Sequence, residues 1–95
     1  MSKKLIALLD ELKKKYPELS MDVALTKGMI EWMNDRVNWC DYSHLMDDAI
    51  FLGGYFLSIF SKLDSADALK LLKAKYGFLE ELEKKLVEKC GCRKP

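Results

Sequence analysis

Several residue types are scarce or absent in this 95-residue chain. It has no Gln, one Thr, one His and two Asn, whereas Lys and Arg number 16 and Asp and Glu number 15. Few thermolabile amides combined with abundant Lys and Glu are typical of hyperthermophile proteins. The composition is therefore compatible with a thermophilic source, in which disulfides inside the cell are an accepted exception.

The charge balance and the short apolar runs argue against several protein classes. The formal net charge of +1 lacks the basic excess that nucleic-acid binding usually needs. The longest apolar stretch, residues 49–60, is shorter than the roughly 20 residues that span a bilayer. The N-terminal apolar run ends at Asp10, too early for a signal peptide. We therefore expect a cytoplasmic protein that does not associate with membranes, and we do not expect it to bind nucleic acid.

The cysteines and the overall apolar content bear on assembly. Three Cys is an odd number, which argues against a secreted disulfide framework. A hydrophobic fraction of 49% is high for so short a chain, because a domain of this size buries only about two-thirds of its unfolded surface. We predict one domain over residues 1–95 with a frayed tail at 91–95, and some apolar surface buried between subunits.

Helical periodicity runs through nearly the whole sequence, and no segment alternates strictly as a strand would. Helices are predicted from about Lys3 to Tyr16, from just after the N-cap Ser20 to about Asn38, and from about Ser43 to Leu63. A fourth helix is predicted to begin after the N-cap Asp64, with Asp67 at its N3 position. The short connections predict an all-α fold, an antiparallel bundle of four helices. The third helix is apolar on every side except Ser58, which predicts a central position surrounded by protein. The last helix is expected to be kinked or split at Gly77.

The segment NWCDYSHLMDD, residues 38–48, concentrates the reactive side chains. One hypothesis is a metal site, because Cys and His are ligands that suit tetrahedral zinc. Its four ligands would be Cys40, His44, Cys90 and Cys92. The alternative for these residues is a surface His and three unrelated thiols, with no cofactor.

A second hypothesis is redox chemistry at Cys40. The letters NWCDYS are similar to the N-x-C-x-x-C helix start of the peroxidase-linked, carboxymuconolactone-decarboxylase-like family of small helical proteins. That resemblance implies a reactive thiol at a helix N-terminus, where backbone N–H groups lower the pKa of the thiol. Ser43 stands where the family has its resolving Cys, and Asp47 where its His would follow.

A third interpretation, which we favour, is a helix boundary. Asp41 or Ser43 is the N-cap, and Asp47 and Asp48 lie in the first turn, where negative charge is favourable. In this interpretation Trp39 and Tyr42 anchor the junction to the core.

The helices also suggest where subunits meet. Gly53 and Gly54 are costly inside a helix unless another helix crosses closely there. They predict a close crossing, and Gly53→Leu is then expected to destabilise by overpacking. The predicted interface comprises Met29, Trp32, Met33, Gly53, Gly54 and Tyr55.

From these features we predict a non-enzymatic interaction or assembly module that forms homo-oligomers, with no catalytic residues. Two alternatives remain. One is a metal- or thiol-dependent site at Cys40, His44, Cys90 and Cys92. The other is a small nucleic-acid-associated or regulatory protein of viral or plasmid origin, using Lys13–Lys15, Arg36 and the C-terminal RKP.

Helix length connects the reactive segment to the C-terminal cysteines. At 1.5 Å per residue, a third helix from Ser43 to Leu63 is roughly 31 Å long and an unbroken Ser65–Lys89 helix is roughly 37 Å. Running antiparallel, the last helix returns Cys90 or Cys92 to the level of Cys40. A disulfide then requires Cα atoms within about 7 Å. A break at Gly77 removes this option and leaves free thiols.

Overall fold

A computed structural model describes residues 2–91, which form four α-helices without any strand in that range. Helix α1 spans Lys3–Lys15, α2 Ser20–Asn38, α3 Tyr42–Phe60 and α4 Ser65–Cys90, and a 3-10 turn covers Pro17–Leu19 between α1 and α2. The predicted all-α bundle is confirmed. The molecule is elongated, with extents of 40 × 21 × 20 Å.

Side-chain contacts establish the direction of α1 and α2. Asn34 Nδ2 donates to Ser2 Oγ at 3.2 Å, and Lys27 Nζ binds Asp10 Oδ1 at 2.9 Å. The end of α2 therefore lies beside the start of α1, so these two helices are antiparallel.

The α2–α3 hairpin runs antiparallel in the same way. Arg36 Nε, late in α2, donates to Asp48 Oδ2 early in α3 at 3.2 Å. At the other end, Asp22 Oδ2 accepts from Ser58 Oγ at 3.2 Å and from Lys62 Nζ at 3.1 Å. Both ends of the hairpin are thus fixed by polar contacts, and the two helices stay side by side along their length.

The central element is α2, which packs against α1, α3 and α4. It contributes five core residues, Val23, Thr26, Ile30, Met33 and Val37, all 2% exposed or less. The prediction that α3 is central was wrong. Helix α3 buries one face, with Leu52, Phe56 and Ile59 at its centre, and presents the opposite face to solvent.

Asp64 and Gly91 limit α4. Asp64 Oδ1 accepts from the backbone N–H of Asp67 at 2.8 Å, the N-cap that the sequence predicts. Gly91 ends the helix in the left-handed region with φ 59°, where a residue without Cβ is favoured. The helix passes Gly77 without a break, so the alternative of a split at that residue was wrong.

Gly77 is exposed, and a Cβ added there would meet no atom within 4 Å. We expect Gly77→Ala to raise the free energy of unfolding by about 1 kcal/mol, because Ala restricts the unfolded chain more and favours the helix. Urea denaturation followed by circular dichroism measures the change. Gly91→Ala is the contrasting variant and should lower stability, because its φ is unfavourable for Ala. A destabilised Gly77→Ala would contradict the unstrained helix.

The predicted close crossing at Gly53 and Gly54 was also wrong. A Cβ added to either glycine meets nothing within 4 Å, so no helix of the same chain crosses there. Within one chain, therefore, no close contact remains through which Gly53→Leu would destabilise the fold. Both glycines instead leave notches in the surface of α3.

Candidate functional site

The exposed large apolar side chains are concentrated on one part of the bundle. Nine of the twelve that are exposed belong to the α2–α3 hairpin and its turn, and α1 has none among the described residues. We call these nine the hairpin face: Met21, Leu25, Trp32, Trp39, Tyr42, Met46, Ile50, Phe51 and Leu57. Contiguous apolar surface on a soluble protein usually marks an interaction site.

On α3 the hairpin face follows helical spacing. Met46, Ile50 and Leu57 are separated by four and seven residues, so they lie on one side of the helix. Their exposures are 55%, 73% and 71%, which places this stripe opposite the buried face. Gly53 and Gly54 fall between Ile50 and Leu57, so a notch interrupts the row of large side chains.

On α2 the same pattern recurs. Met21, Leu25, Trp32 and Trp39 are spaced by four, seven and seven residues and lie on one side of the helix. Gly28 falls among them and is exposed, with open space where a Cβ would lie. Each helix of the hairpin therefore presents large apolar side chains around an open notch.

The predicted interface residues have different positions. Trp32 is 49% exposed on the hairpin face, and Gly54 is exposed beside it on α3. Met29, Gly53 and Tyr55 are half-buried. Met33 is 2% exposed in the core, so its assignment to an interface was wrong, because α3 and α4 already cover it.

Arg36 organises the end of the hairpin. Its Nε donates to Asp48 at 3.2 Å, and one terminal nitrogen lies 3.8 Å from Asp41 Oδ2. Its guanidinium carbon lies 4.8 Å from the centre of the Trp32 ring, a cation–π arrangement. Trp39 meets the same indole edge to face, with centroids 6.4 Å apart. The paired Arg36 thus contacts one exposed indole, that of Trp32, which in turn contacts the second, that of Trp39.

Asp41 caps α3, as the helix-boundary interpretation predicts, but the placement of Asp47 and Asp48 in the first turn was wrong, because α3 begins at Tyr42. It accepts from the His44 backbone N–H at 3.4 Å and lies 2.7 Å from His44 Nδ1. Burial alone would raise the pKa of Asp41, but the contacts with His44 and the nearby Arg36 outweigh it and lower the pKa. The predicted anchoring role of Trp39 and Tyr42 was wrong, because they are 61% and 48% exposed.

Cys40 and Cys90 form a disulfide, with Cα atoms 5.7 Å apart. Cys90 is the last residue of α4, and Cys40 lies in the turn before α3. The unbroken α4 returns the chain to the Cys40 end, as the helix lengths predict. Cys92 lies outside the described residues.

The bridge bears on the zinc and redox hypotheses. Zinc binds cysteine as thiolate, whereas the sulfurs of Cys40 and Cys90 are bonded to each other. His44 is exposed and paired with Asp41. No cluster of three potential metal ligands occurs within residues 2–91. In the bridged chain Cys40 and Cys90 are therefore not available as thiolate ligands or as a reactive thiol, and zinc or thiol chemistry at these residues stays a prediction for the reduced chain.

An apolar cavity of about 200 Å³ lies beside the bridge, between α3 and α4. Its walls include Tyr42, Leu45 and Met46 from α3, and Leu79, Leu82 and Leu86 from α4. We call it the α3–α4 cavity. Tyr42 and Met46 also belong to the hairpin face, so the cavity and that face are contiguous.

A separate polar cluster at the opposite end holds α1 to α4. Asp67 Oδ2 accepts from Lys15 Nζ and from Tyr16 Oη, both at 2.8 Å. The bond from Lys15, with that from Tyr16, holds the pKa of Asp67 below its ordinary value despite burial. The same contacts raise the pKa of Lys15 and that of Tyr16. The sequence pattern predicts for Asp67 only a place in the first turn of α4.

These pKa directions predict how stability depends on pH. A lowered pKa in the folded state means that the charged Asp67 stabilises the fold above its ordinary pKa of 3.8. This contribution is lost as pH falls through the folded-state pKa. We expect the melting temperature to fall on acidification below pH 4, and Asp67→Asn to lower it at pH 7 while reducing its acid dependence. An unchanged acid profile in Asp67→Asn would contradict this assignment.

No known protein family, curated protein or solved structure matches this chain. Among residues 2–91, no helix is both long enough and apolar enough to cross a membrane.

Proposed function

We propose that this protein is a non-enzymatic assembly module that pairs with a second copy of itself through the hairpin face. The observation that carries the proposal is the concentration of exposed apolar side chains on α2 and α3, with none on α1. An interface of this kind buries aromatic and Arg anchors near its centre. Trp32, held by Arg36, is such an anchor.

The occupant is a second copy because the face is complementary to itself. In a two-fold symmetric pair the same patch is used by both copies, and a residue that projects from one copy must fit a recess in the other. One patch must therefore supply both projections and recesses. The hairpin face has both. Ile50 and Leu57 project from α3, whereas Gly53 and Gly54 leave open space between them. Small residues let two helix backbones approach closely. Contact with a second copy therefore explains the glycines of α3, whereas packing within one chain does not.

The dimensions of the hairpin limit the size of the interface. Two helices of 19 residues are each about 28 Å long, and adjacent axes lie roughly 8–10 Å apart. Together they present a face of roughly 28 × 20 Å, a projected area of roughly 560 Å². This area is below the about 800 Å² per partner of a standard interface and falls in the size range of transient pairs.

The nucleic-acid alternative has less support. Arg36 is engaged with Asp48 and Trp32, and Lys15 with Asp67. Residues 20–60 contain six acidic and two basic side chains, so the apolar hairpin is acidic rather than basic. Phosphate binding would need the opposite sign.

We predict that the protein sediments above the mass of one chain at micromolar concentration, and that the double variant Ile50→Glu, Leu57→Glu sediments as a monomer. Both side chains are more than two-thirds exposed, so charge there opposes association without disturbing the core. Leu69→Glu is the matched control, since Leu69 is 53% exposed on α4 and should leave association intact.

The response to salt distinguishes a second copy from a basic partner. In a symmetric pair two acidic hairpins meet, so added salt should strengthen association by screening the repulsion. Binding of a basic partner would weaken in salt. A monomeric wild-type chain at all salt concentrations would overturn the proposal.

A further inference from the structure

We propose that the Cys40–Cys90 disulfide is a redox latch that holds the end of α4 against the α3–α4 cavity and thereby limits the surface available for self-association. Its reduction releases the last two turns of α4, residues 83–90, and uncovers the apolar walls of the cavity. The effect on association rests on the proposed pairing through the hairpin face, whereas release of α4 does not.

This end of α4 is attached by the bridge and by the half-buried Leu86, which packs against the core. Leu82 is the last buried residue of the helix, at 4% exposure, and Val87 is 52% exposed. Beyond Leu82, the polar contacts to other elements are few among the described residues. Lys89 Nζ donates to Asn38 Oδ1 at 3.2 Å on the exposed surface, and Cys90 Sγ lies 3.4 Å from the Val37 carbonyl oxygen. Weakly buried helix ends open locally with small free energies, so these two turns depend on the covalent link.

The released segment includes part of one wall of the α3–α4 cavity, so its movement changes which apolar groups are exposed. Glu83 and Leu86 form part of the α4 wall of the cavity, and Tyr42 and Met46 form part of the α3 wall. Moving residues 83–90 away exposes apolar groups on both walls. Tyr42 and Met46 already lie on the hairpin face, so the newly exposed surface extends that face. A larger contiguous apolar surface buries more area between two copies.

A dithiol can serve as the reductant of the bridge. A thiolate of the dithiol attacks one sulfur of the bridge, which breaks the Cys40–Cys90 bond and forms a mixed disulfide. The second thiol of the dithiol resolves the mixed disulfide. Two electrons and two protons pass to Cys40 and Cys90, which become thiols, and the dithiol becomes a cyclic disulfide.

Hydrogen exchange tests the release of α4 directly. The protein would carry Cys92→Ser, so that only the Cys40–Cys90 pair responds, and would be compared before and after treatment with dithiothreitol. We expect amides of residues 83–90 to lose their protection after reduction and to exchange at nearly the rate of an unstructured chain, while residues 67–78 of the same helix stay protected. Protection of residues 83–90 that persists after reduction would overturn the latch. Loss of protection in both segments together, with loss of most of the helical circular dichroism signal, would also overturn it, because it would mean global unfolding.

Sedimentation equilibrium on the same two samples tests the consequence for assembly. We expect the reduced form to associate about tenfold more tightly, which corresponds to about 1.4 kcal/mol. The same dissociation constant in both forms, with association present, would overturn the redox control and leave the pairing intact. Release of residues 83–90 without association in either form would instead overturn the proposed pairing while supporting the latch.

Discussion

Cys90→Ser should lower the free energy of unfolding by about 4 kcal/mol, the largest single effect we expect from a surface-accessible site. The bridge joins residues 50 positions apart, and a cross-link of that span restricts the unfolded chain by an amount that corresponds to about 4 kcal/mol in the chain-entropy model. Such a loss is a large fraction of the 5–15 kcal/mol that stabilises a typical domain. Urea denaturation under non-reducing conditions measures it.

Cys92→Ser is the matched control, because it replaces a cysteine two positions away and leaves the bridge intact. It should unfold at the same urea concentration as the wild type. Reduced wild type should in turn match Cys90→Ser. Equal stability of Cys90→Ser and Cys92→Ser would contradict a stabilising role for the bridge.

Substitutions at Cys40 separate the loss of the bridge from the relief of backbone strain. Its φ of 54° is in the left-handed region, where a side chain with Cβ costs roughly 1–2 kcal/mol. Cys40→Gly and Cys40→Ser both remove the bridge, but only Gly relieves that backbone strain. Cys40→Gly should therefore be the more stable of the two variants.

The helices and most of their ends could be predicted from the sequence. The caps at Asp41 and Asp64 are local features, because each side chain accepts from a backbone N–H three residues later. Such contacts depend on neighbours in sequence and leave a recognisable pattern. The start of α2 was harder to predict, because Ser20 is its first residue rather than its cap and its Oγ donates to the Pro17 carbonyl oxygen.

The orientation of α3 could not be predicted because its sequence has no polar face over residues 49–60. Periodicity identifies the buried side of a helix by contrast with a polar side, and Ile50, Leu52 and Leu57 give no contrast. Leu52 is buried, whereas Ile50 and Leu57 are exposed. Apolarity on all sides predicts burial within one chain, but it also fits a helix whose outer side belongs to an interface.

The disulfide could be predicted only conditionally, because it depends on whether α4 continues through Gly77. A glycine costs about 1 kcal/mol inside a helix, and this local cost favours a break. Burial of Leu71, Phe78 and Leu82 on both sides of Gly77 favours continuation and exceeds it, since each buried side chain contributes roughly 1.5–3 kcal/mol. Tertiary packing therefore decided an outcome that local preference left open.

The Asp67 cluster also depends on contacts distant in sequence. Its partner Tyr16 is 51 positions away, and no local pattern pairs the end of α1 with the start of α4. Only the antiparallel arrangement of the helices brings the two residues together. The four-helix bundle that the sequence predicts makes such a contact geometrically available, but it does not select these side chains.

Two phenylalanines of α3 provide the sharpest test of how this helix is oriented. Phe56 is fully buried at 0% exposure, whereas Phe51 is 60% exposed on the hairpin face. Phe56 stacks on Phe60 with ring centroids 6.0 Å apart and lies under Lys75 Nζ, 5.5 Å from its ring centre. Phe56→Ala removes a ring from the core and leaves a cavity, so we expect a loss of about 3–5 kcal/mol.

Phe51→Ala removes the same atoms from the outer side of α3, and should change the free energy of unfolding of the monomer by less than about 0.5 kcal/mol. Both variants must be measured below the concentration at which the chain associates, because Phe51 belongs to the proposed interface. At higher concentration we expect the order to reverse for assembly, with Phe51→Ala weakening association at a site that hardly affects the isolated fold. Equal losses of stability in the two dilute variants would mean that α3 is covered on both sides within one chain, and the hairpin face would then be unavailable to a second copy.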